Sequence, residues 1–246
     1  MIVVEYSWIF YALFPIVAFL YAAVGHGGGS GYLALMALFG VSVAIMKPTA
    51  LVLNLFVAGI SFYHYYKSGY FNWKLFYPFA IGSIPAAFIG GYLNVDPLIY
   101  KKILGIFLIF AVLRMMGLLG NDQGGKLKIK FLLALSIGMT IGFFSGLIGI
   151  GGGIILSPIL IIFHWANMKE TAAVSALFIW INSLAGLGGL LMSGASIPLM
   201  AFFLVLLVVM GAWAGAYYGS KLLNNNKLKK ILAFILILAS IKLILT

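Results

Sequence analysis

The sequence predicts an all-α polytopic membrane protein built from two inverted-topology repeats. Each repeat is a glycine-broken or re-entrant hairpin followed by three transmembrane helices. Three observations predict it. The 246 residues are 64% hydrophobic and 8% charged, with a mean hydropathy of +1.18, too apolar to cover a soluble surface. The apolar residues fall into ten segments. Two glycine clusters, Gly25-His26-Gly27-Gly28-Gly29-Ser30-Gly31 and Gly149-Ile150-Gly151-Gly152-Gly153, interrupt those segments in matched positions.

The segments run over 8–24, 30–45, 49–66, 74–93 and 98–118, then 130–147, 153–166, 170–192, 197–220 and 228–245. A span needs about twenty residues at 1.5 Å rise each, and 30–45 and 153–166 fall short. Each follows a glycine cluster directly, so segment, glycine turn and short helix are expected to form a broken or re-entrant hairpin. The polar stretch Gly120 to Lys126 bisects the chain. It divides an N-terminal repeat (1–119) from a C-terminal one (130–246), with a cytoplasmic linker at 120–129. The first apolar run lacks a basic n-region and an A-x-A site, so it is expected to be retained.

The halves read as copies. Met46-Lys47-Pro48-Thr49-Ala50 matches Met168-Lys169-Glu170-Thr171-Ala172 at four of five positions, and Leu55-Phe56 matches Leu177-Phe178 in the same register. Lys101-Lys102-Ile103-Leu104 matches Lys229-Lys230-Ile231-Leu232, and Gly82 and Gly90 fall opposite Gly211 and Gly219.

Charge supplies orientation. The net charge is +11, but the fifteen Lys and Arg residues lie mostly at the ends of apolar runs. That placement orients a membrane protein and does not build a nucleic-acid face. With the linker in the cytoplasm and an odd number of crossings per half, eleven basic residues face inside. Only Lys47, Lys101, Lys102 and Lys242 face outside. The second repeat is then upside down relative to the first, and both termini face outward.

In this topology the glycine turns meet near mid-membrane, with the short helices starting near Ser30 and Ile154 aimed at the meeting place. A helix N-terminus offers unpaired N–H groups and roughly half a positive charge. Two of them, with side-chain-free glycine amides, make a dehydrated anion site. Unwound backbone inside a bilayer is tolerated only where protein or a polar cavity satisfies it, and paired breaks are the best pointer to a transporter's binding site. Isolated glycines such as Gly82, Gly90, Gly215 and Gly219 read instead as helix-packing positions.

Gly149-Ile150-Gly151-Gly152-Gly153, continuing through Ser157 to Pro158, resembles the G-x-G-G-G-x-x-x-x-P signature of the sulfite exporter TauE/SafE family. The duplicated halves and the K-x-T-A element after each hairpin are similar to that family as well. The resemblance covers nearly the whole chain. It implies a secondary transporter in a bacterial inner membrane for sulfite, an organosulfonate or a related anion. The first copy departs from the signature, with Ala34 where proline would fall and His26 inside the glycine run.

The expected substrate-binding residues are Gly25, His26, Gly27, Gly28, Gly29, Ser30 and Asn54, with Gly149, Gly151, Gly152, Gly153, Ser157 and Asn182. His26 is a candidate for anion contact or for a coupling proton. Asn54 and Asn182 lie inside long apolar segments, where an amide either lines a path or joins helices. Lys47 and Lys169 are vestibule candidates, although snorkelling lysines give the same pattern. The acids Glu5, Asp96, Asp122 and Glu170 map to segment ends or loops, and His64 and His164 to interfacial aromatic belts. The partners expected are a small anion, the lipid bilayer and a coupling proton, without nucleic acid. No metal or cofactor is expected: cysteine is absent, and neither glycine cluster continues into the G-K-[ST] of a P-loop.

Two other readings compete. A transporter or channel for another small anion or solute shares the fold, although the carboxylates a cation site uses are missing at mid-membrane. An intramembrane serine protease would use Gly28-Gly29-Ser30-Gly31 with His64 as base, and needs hydrogen-bond contact between Ser30 and His64.

Overall fold

The computed structural model describes residues 7–116, 129–221, 237 and 240–242. The expected linker (apart from 129), the Lys229–Leu232 anchor, most of segment 228–245, Glu5 and Asp122 lie outside the described residues. Nine helices are fully bounded among them: α1 (Trp8–Ala22), α2 (Gly29–Leu38), α3 (Val43–Lys67), α4 (Trp73–Tyr92), α5 (Pro97–Met115), α6 (Phe131–Ile148), α7 (Gly153–Ile162), α8 (Met168–Met192) and α9 (Leu199–Lys221). Five of these, α3, α4, α6, α8 and α9, are long and apolar enough to cross a membrane. The described residues contain no strand.

Helix boundaries follow local chemistry. Asn72 caps α4 by accepting from the Lys74 and Leu75 amides. Asp96 accepts from the Leu98 and Ile99 amides, with Pro97 at the first helical position of α5. A capping box between Asn167 and Glu170 opens α8. The two acids within the described residues therefore serve helix starts, where a carboxylate complements the N-terminal dipole.

One segment differs from the sequence reading. The apolar run 30–45 is two pieces: α2 stops at Leu38, and α3 begins at Val43. Gly40 adopts a left-handed φ of 75°, and the Val41 amide returns to the Met36 carbonyl, a glycine helix stop. Phe39, Val41 and Val43 carry the apolar pattern straight through that turn, so hydropathy alone does not show it.

At ten residues, α2 and α7 are each about 15 Å long, half the hydrocarbon thickness. The first hairpin folds back on itself. Phe10 near the start of α1 meets Phe39 just past the end of α2 at 5.1 Å between ring centroids. Phe14 stacks on Tyr32 at 5.6 Å, and the Tyr21 and Ser30 hydroxyls lie 2.8 Å apart. Paired this way the two helices run antiparallel, so α2 returns toward the side where α1 began.

Among the described helices other than α5, the main contacts fall into matching pairs. α4 packs on α6 as α9 packs on α1, α4 on α8 as α9 on α3, and α2 on α3 as α7 on α8; α3 and α8 pack on each other. Glycines set these close crossings. Gly138, Gly142 and Gly146 of α6 lie against the backbone of Phe79, Ser83 and Ala87 in α4. Gly211, Gly215 and Gly219 of α9 lie against that of Pro15 and Phe19 in α1 and of Ala23 just past its end. With no Cβ, backbones come within reach of dispersion contact, which holds helices together in lipid.

Candidate functional site

The first turn links α1 to α2 through Gly25 (φ 74°) and Gly28 (φ 86°); the second links α6 to α7 through Gly149 (φ 90°), Gly151 (φ 79°) and Gly152 (φ 78°). These left-handed conformations let the chain reverse within a few residues, and they favour glycine on steric grounds. The His26 amide bonds to the Tyr21 carbonyl, and the next amide with a backbone acceptor is Tyr32, on Gly28. In the second turn, Gly149 donates to Ser145 and the next donor is Ile155, on Gly152. The amides of residues 27–31 and 150–154 therefore have no acceptor in the structure, and all ten residues are buried. Buried amides without partners are rare and call for a ligand or water.

The two turns touch. A Cβ placed on Gly29 would sit 2.9 Å from the Ile150 carbonyl oxygen and 2.6 Å from Asn54 Nδ2. Asn54 Nδ2 also reaches the Gly149 carbonyl at 3.5 Å, while its Oδ1 has no partner. A Cβ on Gly27 would lie 2.7 Å from Asn54 Oδ1, and one on Gly151 would lie 3.0 Å from Asn54 Nδ2. Asn54, wholly buried on α3, thus stands against both turns. His26 joins the first turn to α7: Nδ1 donates to the Val24 carbonyl at 2.9 Å, and Nε2 lies 3.0 Å from Ser157 Oγ. Ser157 also contacts the Gly153 carbonyl at 2.8 Å and Ser175 Oγ at 2.9 Å.

The other candidate side chains are engaged elsewhere. The Ser30 hydroxyl is engaged by Tyr21. Asn182 donates to the Phe178 carbonyl of its own helix at 2.7 Å. Lys47 lays its ammonium on the carbonyls at the end of α4, 3.0 Å from that of Gly91. Lys169 does the same at the end of α9, 2.7 Å from Gly219 and 3.0 Å from Ser220. The ammonium groups thus latch matched helix C-termini, where a cation complements the dipole. His64 packs edge-on against Trp213 and Tyr217. Ser30 and His64 accordingly have different partners, and the contact that the protease reading requires is not formed.

Four residues joined to this site escape a reading by motif. Tyr65 donates its hydroxyl to the Ala23 carbonyl at 3.0 Å and Tyr100 to that of Ile148 at 2.6 Å, each just ahead of a turn. Ser175 bonds Ser157, and Ser183 Oγ lies 3.2 Å from a Cβ placed on Gly151, without a partner. Ser175, Ile179 and Ser183 recur every four residues on α8 and share one face. That spacing picks Ser183 over its neighbour Asn182. Among the described residues no group of three metal-ligating side chains occurs.

The profile of the family described as Sulfite exporter TauE/SafE matches residues 10–243. The chain belongs to the sulfite exporter TauE/SafE family. It is similar to a probable membrane transporter protein of Sinorhizobium fredii, at 36% identity over 94% of this chain and 95% of the relative. A probable membrane transporter protein of Methanocaldococcus jannaschii is 31% identical over 75% of each chain. One from Bacillus subtilis is 26% identical over 83% of this chain and 82% of its own length. No solved structure matches the chain. This TauE/SafE chain is thus a membrane transporter, and among the described residues its paired glycine turns hold two runs of buried amides without acceptors.

Proposed function

We propose that this chain is a secondary transporter for a small sulfur-containing anion, sulfite or an organosulfonate, gripped between the two glycine turns. The observation that carries this reading is the two runs of buried amides without acceptors, 27–31 and 150–154, at the N-termini of α2 and α7. Preorganised N–H donors and two positive helix ends stabilise an oxyanion without a buried cation. The turns are in contact, so an ion passes only when they separate, and rocking of the halves about their shared α3–α8 packing gives alternating access.

His26 is the proton carrier in this scheme, since it is the titratable ring at the turn–turn boundary. In this reading the two halves are inverted copies and both termini lie outside a bacterial inner membrane, as the lysine and arginine distribution favours. Lys47 and Lys169 add positive potential on opposite faces while holding their helix ends. Expulsion of an anion from an inside-negative cell is favoured by about 2.3 kcal/mol per charge per 100 mV. The test is flux into proteoliposomes with sulfite, taurine, sulfoacetate, thiosulfate, a potassium salt and a neutral solute. Flux confined to the sulfur anions is expected, and flux of the cation or neutral solute alone overturns the reading.

A further inference from the structure

The donors in the site are not its whole chemistry. Asn54 Oδ1 is fully buried and has no partner, and it lies beside the first turn, 2.7 Å and 3.0 Å from where Cβ atoms of Gly27 and Gly29 would be. The orientation shown lets Nδ2 reach the Gly149 carbonyl at 3.5 Å, whereas a flipped amide would set oxygen against oxygen there. A second acceptor, the Ile150 carbonyl oxygen, lies 2.9 Å from the Gly29 Cβ position. An anion taken up by the amides of residues 27–31 and 150–154 would therefore meet two lone-pair-bearing oxygens as well. A fully deprotonated oxyanion is repelled by both. An oxyanion that retains a proton donates to one of them and accepts from the amides.

We propose that Asn54 selects the protonation state of the substrate: the site takes a monoprotonated oxyanion, such as the HO–SO2⁻ form of hydrogen sulfite, over an anion of equal charge without a proton. This rests on the reading that the two turns hold an anion. The repeat supports the assignment of a special role. The register that pairs Lys47 with Lys169 and Leu55 with Leu177 places Ala176 opposite Asn54, so the acceptor exists in one half only and is not needed by the duplicated fold. Ser183, the other polar side chain without a partner at Gly151, donates or accepts as required and does not discriminate. A site that pairs a ligand proton rejects analogues lacking it, because its acceptor would stay buried and unpaired.

The experiment measures binding to the purified full chain by thermal shift and calorimetry with three probes across mildly acidic to mildly alkaline pH. Sulfite changes from monoprotonated to dianionic over that range. Methanesulfonate is a monoanion without a proton, and sulfate a dianion without one. His26, Lys47 and the hydroxyls of Tyr21, Tyr32, Tyr65 and Tyr100 are the titratable groups against the turns. They act on hydrogen sulfite and methanesulfonate alike, so the ratio of the two affinities reports the ligand's proton. At acidic pH, hydrogen sulfite is expected to bind at least about tenfold tighter than methanesulfonate, the worth of one well-placed hydrogen bond. That preference disappears as sulfite deprotonates. Asn54→Leu should bring the two affinities within about threefold, and Asn54→Asp, which keeps an acceptor, should preserve the order. Equal affinity in the wild-type chain overturns the proposal whether or not the variants fold. Binding of none of the three anions would instead overturn the anion site itself.

Discussion

Ser157 Oγ and His26 Nε2 stand 3.0 Å apart, joining the first turn to the short helix α7. Because Nδ1 faces the Val24 carbonyl and must donate to it, Nε2 accepts from Ser157 in the neutral ring and donates to it in the imidazolium. Protonation thus turns the Ser157 hydroxyl toward the Gly153 carbonyl or Ser175, its other two partners.

If that ring carries the coupling proton, His26→Ala uncouples substrate flux from the pH gradient. Ser157→Ala retains transport but moves the midpoint of the pH profile. Both are read as flux against imposed pH in proteoliposomes. An unchanged profile in His26→Ala removes the histidine from the mechanism, and one in Ser157→Ala leaves that serine a packing role.

Gly28 and Gly152 combine a left-handed φ with crowding. An added methyl would sit 2.7 Å from the Tyr32 ring in one case and 2.8 Å from Ile141 in the other. Alanine at either position should lower stability by about 1–3 kcal/mol and abolish transport. Gly40 has a φ of 75° but nothing within 4 Å, so Gly40→Ala bears the backbone strain alone. Thermal denaturation of the three variants in detergent separates the two effects, and equal losses would show that crowding at the turns contributes nothing.

Lys47→Met and Lys169→Met each leave carbonyls at a helix C-terminus without their cation. Each should cost about 1.5–3 kcal/mol, as hydrogen bonds to charged groups do. Lys102→Met, on an exposed side chain, is the control and should be near neutral. If all three melt alike, the latch is not a stabilising feature.

The absence of native cysteine permits a direct topology test with single-cysteine variants. Gly40, Gly69 and Gly194 lie in loops with open space around them. An impermeant maleimide on intact cells should label cysteine at 40 and 194 and spare it at 69. Labelling at 69 alone would reverse the orientation.

The helices and both glycine turns were legible in the chain because each leaves a strong local mark: a long apolar run or three consecutive glycines. The short helices begin at Gly29 and Gly153, each one residue ahead of the expected Ser30 and Ile154. The stop at Gly40 was not legible, since apolar residues flank it on both sides. Asn54 is legible as a candidate because an amide in an apolar helix is conspicuous. Ser175 and Ser183 are not legible, because a serine in such a helix is unremarkable until the face it shares with Ile179 is seen to lie on a turn. The Lys47 and Lys169 contacts are tertiary, each reaching the far end of another helix. A lysine near a helix start carries no local sign of that reach.

The most direct test is a crystal structure of the chain with selenite, a heavier analogue of sulfite, located by anomalous scattering at the selenium edge. The account predicts a peak between residues 27–31 and 150–154, within hydrogen-bond reach of their amides. A peak confined to the cleft of about 440 Å³ beside Lys101 and Lys242, with the turns empty, would contradict it.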